Sequence, residues 1–191
     1  MKSKNTVFSY ALCALFAALV AVLSQIMIPL PFTPVPINLA LLAVWVAGGI
    51  LGAKKGAIAI IVYILLGAVG VPVFVGLNAG LGALAGPTGG YIIGYIPSVI
   101  VFALLVRQRD NAEKTTKTAK AFFLLIMRGL PAMAACYAPG TAWFMITTGM
   151  ELLPSLVMCV IPFIPGDVLK IIAAVAVCEA LRKPLRGLLS Q

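Results

Sequence analysis

No charged residue interrupts the run from Val7 to Ile28, and five further apolar stretches follow it along the chain. That repetition constrains the fold more than any other feature. A helix needs about 20 apolar residues to cross the hydrocarbon core of a bilayer. The first candidate span is Val7 to Ile28, ended by the cluster Pro29, Pro31, Pro34 and Pro36. The second runs from about Ile37 to Ala53 and stops at Lys54-Lys55-Gly56. A short third span, about Ala57 to Ala68, leads into a glycine-rich stretch. The fourth, about Tyr91 to Val106, ends at a charged run from Arg107 to Lys120. The fifth covers about Ala121 to Thr148 and contains Pro131 and Pro139, and the sixth covers about Pro154 to Leu181 and contains Pro162 and Pro165. Only 10% of the residues are charged, against roughly a quarter in soluble domains. Lipid has to be the solvent. The expectation is an all-α integral membrane protein of six transmembrane helices, with residues 1–191 forming one domain.

Charge placement supports the same count independently. With six spans, the N-terminus, the 53–56 turn, the 107–120 loop and the C-terminus share one face. Those segments hold twelve of the fourteen basic residues, the other two being Arg128 and Lys170 within spans. Positive charge marks the cytoplasmic side, so both termini are expected in the cytoplasm of a multi-pass plasma-membrane protein. The net charge of +9 does not point to nucleic acid, because phosphate-binding residues form a stripe on a folded domain rather than clusters between apolar runs. Lys2, Lys4 and the apolar run after them resemble a signal peptide. The run exceeds the roughly 7–15 residues of such a core and no A-x-A site follows, so it reads as a retained first helix.

Several chemistries lack the residues they need. The four cysteines, Cys13, Cys136, Cys159 and Cys178, lie in apolar segments without a CxxC pair, and the chain has no histidine. Zinc sites, disulfides and His-based catalysis are poorly supported, and the thiols read as small packing groups. No G-x-x-x-x-G-K-[ST] run is present, so energy for any transport must come from a partner or a gradient. No cofactor or metal is expected.

The segments on the face opposite the basic clusters are uncharged and rich in proline and glycine: Pro29 to Pro36, and Gly70 to Gly90. A loop of that length is usually functional or disordered. Val71, Val73, Phe74, Leu77 and Leu81 make it too apolar for disorder. It reads as a lid over an outward-facing site, with Gly86, Pro87, Thr88, Gly89 and Gly90 part of that lid.

Ionisable groups inside a bilayer are costly, and are usually functional or paired. Asp167 and Lys170 are three apart, share a helix face and can neutralise one another. Pro162, Pro165 and Gly166 just before them disturb the helix, as broken spans at solute sites do. The pair either fixes the helix or meets a guest. Asn78 can donate and accept hydrogen bonds. Tyr91 either stacks on a ligand or anchors at the interface. Arg128, near a helix end, can snorkel. Ala14 and Ala18 put small residues four apart on the first helix, a spacing that lets helices approach closely.

Four stretches resemble the BioY family, the biotin-specific substrate-binding (S) components of energy-coupling-factor transporters. They are Thr33-Pro34-Val35-Pro36; Gly70-Val71-Pro72-Val73-Phe74 leading to Asn78; Gly86-Pro87-Thr88-Gly89-Gly90-Tyr91; and Pro162-Phe163-Ile164-Pro165-Gly166-Asp167-Val168-Leu169-Lys170. The resemblance implies the six-helix S-component fold, one biotin bound near the outer face, and two kinds of partner: a transmembrane coupling subunit and ABC-type ATPases. It implies that Asn78, Asp167 and Lys170 contact biotin and that Ala14 and Ala18 dock on the coupling subunit. One departure is visible: many members carry Leu-Gln after the Pro-Val-Pro run where this chain has Leu39-Ala40, so no contact is carried over there. The alternative is a stand-alone membrane transporter for biotin or another small vitamin. A membrane enzyme is a thin rival, since Asp167 and Glu151 are its only candidate general bases.

Overall fold

The computed structural model describes residues 2–112 and 119–189, with side chains described for residues 7–105, 127 and 129–181. The side chains of Arg128 and of the basic clusters at the N-terminus, at 107–120 and at the C-terminus lie outside the described residues. Helix α1 spans Lys2–Gln25, and two short antiparallel strands follow, β1 (Met27–Ile28) and β2 (Ile37–Asn38). Helix α2 covers Ala40–Ala68, then a 3-10 turn at Val75–Leu77 and the one-turn helix α3 (Leu81–Ala85). Helices α4 (Gly89–Ala112) and α5 (Ala119–Thr148) pair closely. A short α6 (Leu152–Cys159) and a 3-10 turn at Ile161–Phe163 lead into α7 (Ile164–Leu189).

Four boundaries differ from the hydropathy pattern, one of them in the sixth expected span from about Pro154, which the 3-10 turn at Ile161–Phe163 divides into α6 and α7. The first span stops at Gln25 instead of Ile28, because Met27 and Ile28 pair with Asn38 and Ile37 and close the proline segment into a hairpin. The second starts at Ala40, whose N–H donates to the Asn38 Oδ1 at 2.9 Å. The stop expected at Lys54-Lys55-Gly56 is a single residue, Gly52, at φ 79° and ψ 174°. That region is essentially reserved to glycine. The two arms of α2 fold back there: a Cβ on Gly56 would lie 3.2 Å from the Cα of Gly48, contact impossible for residues eight apart on one straight helix.

The six helical passes are thus α1, the two arms of α2, α4, α5 and α7. Among the described residues, Val7–Gln25, Ala40–Ala68 and Leu152–Leu181 are long and apolar enough to cross a membrane. Large apolar side chains such as Leu15, Val22, Leu65, Ile146 and Leu169 stay exposed on the outside of the bundle. A monomer in water does not leave that much apolar surface uncovered.

Contacts along the bundle fix its two ends. The Lys55 Nζ donates to the Ser9 Oγ at 2.8 Å, so the α2 turn lies beside the start of α1. The end of α1 lies at the opposite pole, where the Ser24 hydroxyl donates to the Val73 carbonyl at 2.7 Å. Between them buried polar side chains find partners within the core. The Trp45 indole stacks on Phe102 and donates to the Ser98 Oγ at 2.9 Å, and Ser98 donates to the Ala132 carbonyl at 2.7 Å. With no water in hydrocarbon, such groups must be satisfied internally. This chain ties α2, α4 and α5 into one frame.

Candidate functional site

A cavity of about 670 Å³ opens at the pole away from the Gly52 turn. Its walls come from the proline hairpin (Thr33, Pro36, Asn38), the 74–83 segment (Phe74, Asn78, Gly82), the start of α4 (Tyr91, Tyr95), α5 (Cys136, Tyr137), the 3-10 turn before α7 (Phe163) and the start of α7 (Asp167, Lys170). Pro34, Gly76 and Asn78 line it while remaining exposed, so it reaches the surface. Its volume lies within the roughly 300–1,000 Å³ of small-ligand sites.

Sequence explains how the charged wall arises. The α6 segment ends at Cys159, and Val160 (φ −124°, ψ −59°) breaks the helix before the 3-10 turn. Pro165 then opens α7, a place where its missing N–H costs nothing. Asp167 falls in the first turn of α7, where the helix dipole favours an anion. The two charged residues are 3% and 8% exposed. The Lys170 Nζ donates to the Asp167 Oδ1 at 2.6 Å, and the Tyr137 hydroxyl donates to its Oδ2 at 2.5 Å. Neutralisation is local, as buried charge requires. The ammonium carries three donors and the carboxylate about four acceptor positions, so both retain capacity towards the cavity.

Of the remaining polar groups, Tyr91, Thr141 and Cys136 are buried and Asn78 is exposed. The Tyr91 hydroxyl and Thr141 Oγ1 are 3.2 Å apart, and the Cys136 thiol donates to the Tyr91 carbonyl at 3.7 Å. Asn78 Nδ2 donates to the Val75 carbonyl at 2.8 Å, which leaves its Oδ1 without a partner among the described residues. Across the cavity from α7, Phe74 is buried edge-on against Tyr63. Gly67 makes this possible, since a Cβ there would overlap the Phe74 ring.

Asn78, Tyr91, Asp167 and Lys170, drawn from three segments of the chain, line one cavity. The stretch Gly86 to Gly90 is divided. Gly86 and Thr88 face the cavity, Pro87 is exposed outside it, and Gly89 and Gly90 belong to the first turn of α4. The last two do not line the cavity and are tightly packed: a Cβ on Gly89 would overlap the Leu84 carbonyl and one on Gly90 the Trp143 side chain. The proline hairpin and the 74–83 segment both border the cavity, and the 74–83 segment has structure of its own instead of being a plain loop. Ala14 and Ala18 are exposed on α1 and do not line the cavity. Among the described residues no group of three or more His, Cys, Asp or Glu side chains gathers as a metal site.

Tyr137, Tyr95 and Cys159 line the cavity but carry no signal in the sequence. Tyr137 is one aromatic among the apolar residues of a long span, and only the fold aims it at Asp167. For Thr33 a faint signal exists in the Thr33-Pro34-Val35-Pro36 run, where its Oγ1 accepts from the Val35 N–H at 3.2 Å.

Comparison with known proteins gives a consistent answer. The profile of the BioY family matches residues 1–187. The chain is 36% identical to the biotin transporter BioY of Rhizobium etli over 172 residues, 89% of this chain and 90% of that one. It is 35% identical to the probable biotin transporter BioY of Pyrococcus horikoshii over 182 residues, covering 95% and 98% of the two chains. Among solved structures, the crystal structure of the S-component for biotin from an ECF-type ABC transporter superposes with a TM-score of 0.81 at 30% identity, over 96% of this chain and 95% of the other.

Proposed function

The chain belongs to the BioY family, and on that premise we propose that it captures biotin for uptake as the substrate-binding subunit of an energy-coupling-factor transporter. It is a multi-pass protein of the plasma membrane. The whole chain acts as one substrate-binding domain, with both termini and the Gly52 turn in the cytoplasm and the cavity facing outward.

The observation that carries the reading is the buried Asp167–Lys170 pair, joined at 2.6 Å on the wall of a cavity that opens to the surface. Biotin's ureido ring offers two N–H donors and a carbonyl, which suit a carboxylate beside an ammonium. Its thioether ring and valeryl chain suit the apolar walls near Phe74 and Phe163. Asn78 adds an amide at the exposed rim and Tyr91 a buried aromatic face. Asp167 accepts from the guest and Lys170 keeps the aspartate neutralised while donating to an oxygen.

Transport energy comes from a transmembrane coupling subunit and ABC-type ATPases. Ala14 and Ala18 offer an exposed small-residue face on α1 for the coupling subunit. The test is a titration of purified protein with biotin, riboflavin and thiamine. Saturable binding of biotin alone is expected; binding of another vitamin in its place, or of none, overturns the reading.

A further inference from the structure

Gln25, the last residue of α1, makes an unusual set of bonds. Its Nε2 lies within hydrogen-bond distance of the Val73 carbonyl at 3.1 Å and the Phe74 carbonyl at 3.0 Å, as well as of the Ser24 Oγ at 2.9 Å and the Ala21 carbonyl at 3.2 Å in its own helix, and its Oε1 accepts from the Leu77 N–H at 2.9 Å. Beside it the Ser24 hydroxyl donates to the Val73 carbonyl. One half-buried side chain thus grips three successive parts of a turn nearly fifty residues away in sequence. A primary amide is suited to this, because it carries two donors and an acceptor on one planar group.

The turn that it grips is strained. Gly76 (φ 71°) and Leu77 (φ 59°) are successive left-handed residues, and Leu77 is the sole described non-glycine residue with positive φ. A leucine avoids that region because its Cβ crowds the neighbouring carbonyl. Such a conformation persists only where its surroundings over-determine it, and it clusters at ligand clamps. Here the surroundings are the Gln25 amide and the Phe74 N–H to Asn78 carbonyl bond at 3.0 Å that closes the turn. Asn78, on the cavity rim, is the turn's last residue.

We infer that Gln25 is the latch of the cavity cap: a positioning residue that holds the 73–78 turn, and with it Asn78, over the bound guest and so sets how fast the guest enters and leaves. The inference rests on the reading of the cavity as a biotin site. Gln25 does not line the cavity itself, so its effect passes through the turn. Without the amide, the left-handed Leu77 relaxes towards ordinary backbone and the turn opens more often. Both entry and exit then quicken, and affinity changes less than either rate.

Two variants test this. Gln25→Met keeps the length and loses every bond, whereas Gln25→Glu keeps the acceptor for the Leu77 N–H and loses both donors. In ligand-free protein, Gln25→Met should speed amide exchange at Phe74 and Leu77 about tenfold or more, with Trp45 and Val99 in the core unchanged. Gln25→Glu should protect Leu77 better than Gln25→Met does. In stopped-flow measurements biotin should dissociate about tenfold faster from Gln25→Met, with a smaller change in Kd. Wild-type exchange at Phe74 and Leu77 in Gln25→Met, or wild-type dissociation from it, overturns the latch. Should the wild-type protein fail to bind biotin, the functional reading falls, while the exchange rates still decide the latch.

Discussion

Tyr137→Phe removes one hydroxyl and almost nothing else. In the cavity that hydroxyl donates to the Asp167 Oδ2 at 2.5 Å, while Lys170 holds Oδ1. A hydrogen bond to a charged group contributes about 1.5–3 kcal/mol, so its loss should weaken biotin binding about ten- to hundredfold if the tyrosine holds the carboxylate in its ligand-facing pose. The two residues share one bond, so their effects cannot add. In a double-mutant cycle of Tyr137→Phe and Asp167→Asn, measured by calorimetric titration with biotin, the double variant should fall short of the summed single losses by about 1 kcal/mol or more. Additivity within about 0.5 kcal/mol would refute the claim that Tyr137 works through Asp167.

Other substitutions separate the frame from the site. Gly67→Ala places a methyl inside the Phe74 ring; it should displace the cap and weaken biotin binding by about 1–3 kcal/mol, read by titration. Gly52→Ala forces a Cβ into the glycine-only turn of α2 and should cost about 1–3 kcal/mol of stability, seen as a lower melting temperature with biotin Kd unchanged. Cys136 and Cys159 line the cavity, whereas Cys13 and Cys178 do not. A small thiol reagent should therefore label the first two more slowly when biotin is present, and mass spectrometry of tryptic peptides should find Cys13 and Cys178 unaffected by it.

The helical membrane fold was legible because burial in lipid imposes long runs that composition alone reveals. The basic clusters organised those runs into six passes. The helix ends were less legible, since apolar content does not tell helix from strand over two or three residues. Met27 and Ile28 look like the end of a span, yet pair as a strand. Lys54 and Lys55 look like a break, yet belong to a helical arm whose turn is the lone Gly52.

The site divided along the same line. Asp167 and Lys170 could be found because charge is rare in such a chain and their spacing puts them on one face. Asn78 stood out in an uncharged loop. Tyr137 and Gln25 could not be found, because one aromatic or one amide in a long span carries no pattern. Their partners lie thirty and some fifty residues away in sequence. The glycines from Gly86 to Gly90 have one composition but two jobs, and only the positions of Leu84 and Trp143 tell them apart.

The proposed function depends on Asp167, paired with Lys170 on the cavity wall, receiving the polar end of the guest. Asp167→Asn keeps the shape and removes the charge. Equilibrium binding of biotin to this variant, with its melting temperature recorded alongside, should show a loss of about 2–5 kcal/mol, roughly thirty- to several-thousandfold in Kd. A folded Asp167→Asn protein that binds biotin as tightly as the wild type would contradict the account.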